Sequence, residues 1–264
     1  MAVPTESQLN NVTLTPAQHP LDPLTPEEIG EATAILKTQR NLGARVRFET
    51  IVLQEPAKET VLNFRIRDPI QREAFIVILD NDTGATYEAV ISLNQGKVTS
   101  WKHIPGVQPR IMFDEFSECE AAVKANTEFQ VAIKKRGITS PDLVMVDPWS
   151  AGNYGIDEEE GRRLVLARSF LRSSPTDNGY ARPIEGVTAV VDLNSMEVVR
   201  VDDFGVVPIP PNPGNYASEF VDEFRTDLKP LEIAQPEGTS FQIDGYGVTW
   251  QKWHLRIGFT PREG

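Results

Sequence analysis

The chain has 264 residues, 26 of them basic and 38 acidic, for a formal charge of −12. A phosphate backbone or an anionic membrane surface needs the opposite sign, so neither nucleic acid nor membrane is expected as a partner. The 40% apolar content supports a folded core of one or two domains. The 20 prolines favour loops and edges over long helices. A single cysteine, Cys119, excludes an internal disulfide framework and reads as a small packing residue. The first residues, MAVPTESQLNNVTLTPAQ, lack a basic start and an apolar stretch, and the longest purely apolar run is Ala74 to Leu79. The expectation is a cytoplasmic protein with no secretory signal and no membrane span.

Residues 1–18 read as a disordered tail. In HPLDPLTPEEIGEATAILKTQR, Thr25 caps a helix, Pro26 takes its first position and Glu28 closes a capping box. Leu24 and Ile29 form a hydrophobic staple, and Gly43 is the expected stop. The period then changes to two. RVRFETIVL, ETVLNFRI, EAFIVILD, ATYEAVISL and KVTSWKHI read as successive antiparallel strands separated by turn residues.

The pattern then repeats. FDEFSECEAAVKANTEFQVAIKKRG reads as one or two helices, with Asp114 or Ser117 as cap and Gly137 as stop. Strands follow in DLVMVD, RRLVLARSFLR, GVTAVVDL and EVVRVDDF. AVISLNQGKV from Ala89 lies over AVVDLNSMEV from Ala189, which points to a structural duplication. Each half is a helix followed by an antiparallel sheet, so the fold class is α+β. PIPPNPGNY and LKPLEIAQPEG are Pro-rich connectors. FQIDGYGVTWQKWHLRIGF alternates like the first hairpin of a further β domain, whose apolar strands need a partner sheet or chain.

Catalytic signals are sparse. His19, His103 and His254 fall in different segments with no metal-ligand spacing. No phosphate loop, nucleophile elbow or dinucleotide fingerprint occurs. The carboxylates at 157–160 read as a solvated turn, and Asp202-Asp203 as a turn at the end of a strand before Gly205. DLVMVDPWSAGNYG is the most unusual stretch: a strand running into Asp147-Pro148, then Trp149, two glycines and Tyr154. It fits either an aromatic plug over a strand end or a binding loop.

DPWSAGNYG, preceded by AIKKRGI and followed by GRRLVLARSF, resembles the second small N-terminal domain of copper-containing primary-amine oxidases. HPLDPLTPEEI resembles the start of that family's first small domain. YARPIEGVTAVVDLNSMEVVRVDDFGVVPIP resembles the end of the second, and GVTWQKWHLRIGFTPREG the start of the large β-sandwich. The resemblance implies two small cystatin-like α+β domains, at 19–105 and 106–207. A Pro-rich linker at 208–238 and a truncated start of the catalytic β-sandwich at 239–264 follow. It also implies a homodimer whose large domain carries copper and topaquinone and converts primary amine, O2 and water to aldehyde, ammonia and hydrogen peroxide. This sequence holds no His-x-His and no Thr-x-x-Asn-Tyr-Asp/Glu motif. No catalytic, cofactor-binding or metal residue is therefore carried over, and Tyr154 is not a quinone precursor. Trp149 alone is carried over, as wall of the substrate channel. The expectation is an N-terminal part that is inactive alone and needs the catalytic domain, in its own chain or a second one. The alternative is a non-enzymatic binding module built from the two small domains. Protease inhibition of the cystatin kind is not favoured, because the Gln-x-Val-x-Gly loop is absent.

Overall fold

A computed structural model describes residues 17–152, 154–258 and 260. Most of the expected tail, residues 1–16, lies outside the described residues, as do Asn153 and Phe259. The chain divides into two compact units.

The first unit holds residues to Asp80, Ala85–Val107 and Ile233 onward. Helix α1 (Pro26–Arg40) starts as its sequence dictates. Thr25 Oγ1 accepts from the Glu28 N–H at 3.2 Å, and Glu28 accepts from the Thr25 N–H at 2.9 Å. The helix ends at Asn41, in the left-handed region at φ 47°, two residues before the expected Gly43. Asn tolerates that conformation because its short side chain bonds locally. Ala32 and Leu36, one turn apart, are fully buried and pack on Ile76, Ile78, Ala89 and Ile91. These come from an antiparallel sheet in order β1 (Val46–Leu53), β2 (Glu73–Asp80), β3 (Ala85–Ser92), β4 (Lys97–Ile104).

The strand expected over 59–66 is not formed. Residues Lys58–Asn63 make a short helix, α2, and β1 pairs directly with β2, leaving no place in the sheet. The apolar residues there do not reach the core: Leu62 is 73% and Ile66 87% exposed. A period of two signals a strand only when one face is buried. The same unit ends in a three-stranded meander, β9 (Phe241–Asp244), β10 (Gly247–Trp250) and β11 (Trp253–Arg256).

The second unit holds residues 81–84 and 108–232. Helices α3 (Phe113–Ala125) and α4 (Thr127–Lys135) meet at Asn126, which ends one and caps the other through Phe129 N–H at 3.0 Å. The cap of α3 is Met112, not Asp114 or Ser117. Glu115, three residues into the helix, accepts the Met112 N–H at 2.7 Å, the bond that the N3 glutamate of a capping box makes back to its cap residue. Gly137, at φ 79°, follows the end of α4 as expected. Both helices lie against β5 (Val144–Ser150), β6 (Leu164–Leu171), β7 (Val187–Asp192) and β8 (Glu197–Asp203), paired in that order. Cys119, Val123, Phe129 and Ile133 fill the interior with Val144, Val165, Ala189 and Val191. Full burial of Phe129 alone contributes about 2–3 kcal/mol.

The two units carry the same devices. The register slips between Val90 and Ile91 against β4, and between Val190 and Val191 against β8, one hundred residues later. In each unit an arginine directly before the second strand grips the capping-box glutamate of the helix. Arg72 bonds Glu28 at 2.8 Å and the carbonyls of Asp22 and Pro23. Arg163 bonds Glu115 and the carbonyls of Pro109 and Arg110. A shared bulge and a shared buried ion pair support the duplication beyond the similarity of one hairpin.

Candidate functional site

Strand β5 lies at the edge of its sheet. Three successive outward N–H positions on it are already used or absent. Val144 N–H donates to the Pro141 carbonyl, Val146 N–H to Glu120 at 3.0 Å, and Pro148 has no N–H. Proline is compatible with this position because the edge needs no donor there. The strand therefore continues through Pro148 and Trp149 to Ser150, further than the expected loop start.

Trp149 pairs with Leu166 across the ladder and is 57% exposed. The chain beyond it is pinned by Ala151, which is buried against Leu164 and Val190 and donates its N–H to the Leu164 carbonyl. Tyr154 is exposed, and its ring lies over Gly152, where a Cβ would sit 3.4 Å from the ring. That separation is ordinary contact, and what holds position 152 to glycine is its φ of 76°, which side-chain-bearing residues rarely adopt. Trp149, Tyr154 and Ile156 thus stand exposed around one pinned turn. They supply rigid contact area and no acid, base or nucleophile.

Beside it, Tyr180 was not singled out by its sequence. Its hydroxyl donates to Asp147 at 3.0 Å, and its ring meets Phe170 edge-on at 5.1 Å. Burial, then the Asp147 bond, push the Tyr180 hydroxyl above its usual pKa. The turn leading to it is built on Asp177, which accepts from the Ser173 N–H at 2.8 Å and hydroxyl at 2.7 Å and from the Gly179 N–H. Those donors hold its carboxyl below the ordinary range. A groove between α3 and β5, about 470 Å³, is lined by Phe116, Glu120, Lys124, Met145, Asp147 and Arg172. Glu120 is bound by Lys124 at 2.6 Å, so its charge is compensated.

The other expected positions are accounted for singly. Cys119 is fully buried, and burial, then Glu115 and Glu120, push its thiol up to about 12, which suits packing and not reactivity. Residues Asp157–Glu159 form an exposed 3₁₀ turn in which Glu159 pairs with Arg200. Asp203 is bound by Arg136 at 2.8 Å and Lys135 at 2.9 Å. His19 lies in the turn before α1, His103 in β4 and His254 in β11. Among the described residues, no three His, Cys, Asp or Glu side chains gather as metal ligands. These residues do not fit a copper site. Arg72 and Arg163 escaped the sequence reading. The signal was an arginine directly before an apolar strand in each half.

Residues 19–104 match the family model described as copper amine oxidase, N2 domain, and residues 114–221 that described as copper amine oxidase, N3 domain. The chain is 46% identical over 247 residues to a primary amine oxidase of Arthrobacter sp. (strain P1), covering 93% of this chain and 38% of that relative. It is 38% identical to the peroxisomal copper-containing diamine oxidase 1 of Nicotiana tabacum (93% and 37%) and 33% identical to a primary amine oxidase of Klebsiella aerogenes (93% and 33%). The chain thus spans under two-fifths of the length of these relatives. The crystal structure of a copper-containing benzylamine oxidase from Hansenula polymorpha has the same fold over 93% of this chain and 41% of its own. Its TM-score is 0.74 at 24% identity. No helix among the described residues is long and apolar enough to cross a membrane. With its N2 and N3 matches in order along most of its length, the chain belongs to the copper amine oxidase family.

Proposed function

We propose that these residues form the N-terminal, non-catalytic part of a primary-amine oxidase, and that their role is to frame access to a catalytic part rather than to react. The observation carrying this reading is the ordered N2–N3 match over a chain that spans under two-fifths of the length of its relatives. The reaction of the whole enzyme is amine, O2 and water to aldehyde, ammonia and hydrogen peroxide. Copper and topaquinone would supply it from residues other than these. Trp149 is assigned to the wall of the amine channel, supported by its exposure on a fixed strand end. The assembled enzyme is proposed to be a cytoplasmic homodimer.

The test is to purify the 264-residue chain with copper, offer methylamine or benzylamine, and measure peroxide with a quinone stain alongside. The reading expects neither signal. Peroxide above the protein-free control, or a quinone-stained band, would overturn it. A second reading, a binding module, is favoured by one observation: Trp250, Trp253 and Leu255 of the last meander are about half exposed. Deleting residues 239–264 without any change in oligomeric state or solubility would count against it.

A further inference from the structure

The turn before α1 is knotted to strand β11 by a compact set of polar contacts. Asp22 is its hub. One carboxylate oxygen accepts from the Gln18 N–H at 2.8 Å and the His19 N–H at 2.9 Å. The other accepts from the Arg256 guanidinium of β11, and the Asp22 carbonyl accepts from Arg72 at 2.8 Å. Arg256 lies over the Tyr246 ring, 5.7 Å from its centre. Among the described residues its Nε–H finds no hydrogen-bond partner, so Asp22 is its main anchor.

His19 closes the turn. Its Nδ1 accepts from the Leu21 N–H at 3.1 Å, and its ring meets Phe64 edge-on at 5.3 Å. An accepting Nδ1 must be unprotonated, so this geometry requires the neutral ring. Protonation would set a donor against a donor at Leu21 and bring a second cation beside Arg256. The charged groups acting on the ring are Asp22 on the turn itself and Arg256 from β11; Arg72 ahead of β2 binds the Asp22 carbonyl and is itself paired with Glu28 of α1.

We propose that His19 is a pH-sensitive latch that, when neutral, holds strand β11 and its meander to the start of the first unit through Asp22 and Arg256. Burial of the ring, then the Arg256 charge, hold His19 below its usual pKa, with Asp22 pulling the other way. The sign follows. A histidine that is harder to protonate in the latched state gives full latching above about pH 6.5 and progressive loss as pH falls below it. One coupled proton limits the effect to about tenfold per pH unit.

The test is amide exchange of residues 247–256 in the full chain at pH 7.5 and 5.5, corrected for intrinsic rates, with the His19→Gln, His254→Gln and Asp22→Asn variants alongside. Exchange in β11 is expected to rise several-fold at pH 5.5. The rise should survive in His254→Gln and vanish in His19→Gln. Asp22→Asn should exchange fast at both pH values. A pH-independent wild type, a rise that persists in His19→Gln, or an Asp22→Asn variant that exchanges like wild type would each overturn the latch. A readout without mutation is the NMR titration of His19 in the wild type. Its midpoint should lie below 6.5 and coincide with that of the β11 amide shifts, and a different midpoint for the two would overturn the coupling.

Discussion

Consider removal of the guanidinium at Arg163. Its residue is 3% exposed and Glu115 is fully buried. The guanidinium bonds Glu115 and, at 2.8 Å, the Arg110 carbonyl, while Glu115 also accepts the N–H of Met112, the residue that caps α3. Arg163→Met therefore strands a carboxylate in the interior and frees two lead-in carbonyls. Losing one partner of a buried pair costs about 3–5 kcal/mol. At about 1.4 kcal/mol per factor of ten, core amides of β6 and β7 should exchange faster by about two to three and a half powers of ten. The double variant Arg163→Met, Glu115→Met removes the stranded charge and should recover most of that loss, short of full recovery because Met112 N–H and Arg110 O lose partners. A single variant within about 1 kcal/mol of wild type, or a double variant no better than the single, would refute the reasoning.

Three further outcomes follow from named contacts. Arg136, then Lys135, hold the Asp203 carboxyl well below the ordinary carboxylate range. A depressed acid contributes stability above its unfolded pKa and loses it as pH falls through the folded value. Asp203→Asn should therefore flatten the acid limb of the stability–pH curve and lower stability at neutral pH, as followed by urea unfolding at pH 2–7. Cys119 should resist an aromatic disulfide reagent in the native protein and react fully in urea, and rapid native labelling would place the thiol outside the core. Trp149→Ala should change unfolding stability by no more than about 1 kcal/mol, because the ring is largely exposed. In the assembled oxidase the same change should alter the KM for bulky amines, and an unchanged substrate range would remove Trp149 from the channel wall.

Local rules carried the sequence reading where both partners lie within one turn. Thr25, Pro26 and Glu28 form the start of α1 as their spacing requires. Gly137 stops the second helical stretch for the same reason. The Leu-Asn hairpins at 93–94 and 193–194 were legible as a repeat because identical residues sit at matching positions. The reading failed where a distant partner decides. Residues 59–66 alternate, yet direct pairing of β1 with β2 excludes them from the sheet. Met112 is not a usual cap residue; its N–H is held by Glu115, and Glu115 is held in turn by an arginine 48 residues away. The stretch around Trp149 fitted either an aromatic plug or a binding loop in sequence, and the choice depends on Ala151 packing against Leu164 and Val190 and leaving the ring exposed.

The most direct test of the central claim is the coding sequence that follows the Gly264 codon. The account predicts that the frame continues, or resumes, into a large domain bearing His-x-His and Thr-x-x-Asn-Tyr-Asp/Glu. These 264 residues would then be the non-catalytic front of an amine oxidase. Downstream sequence without either motif, and no second polypeptide that supplies them, would contradict that role and leave the two small domains as a binding module.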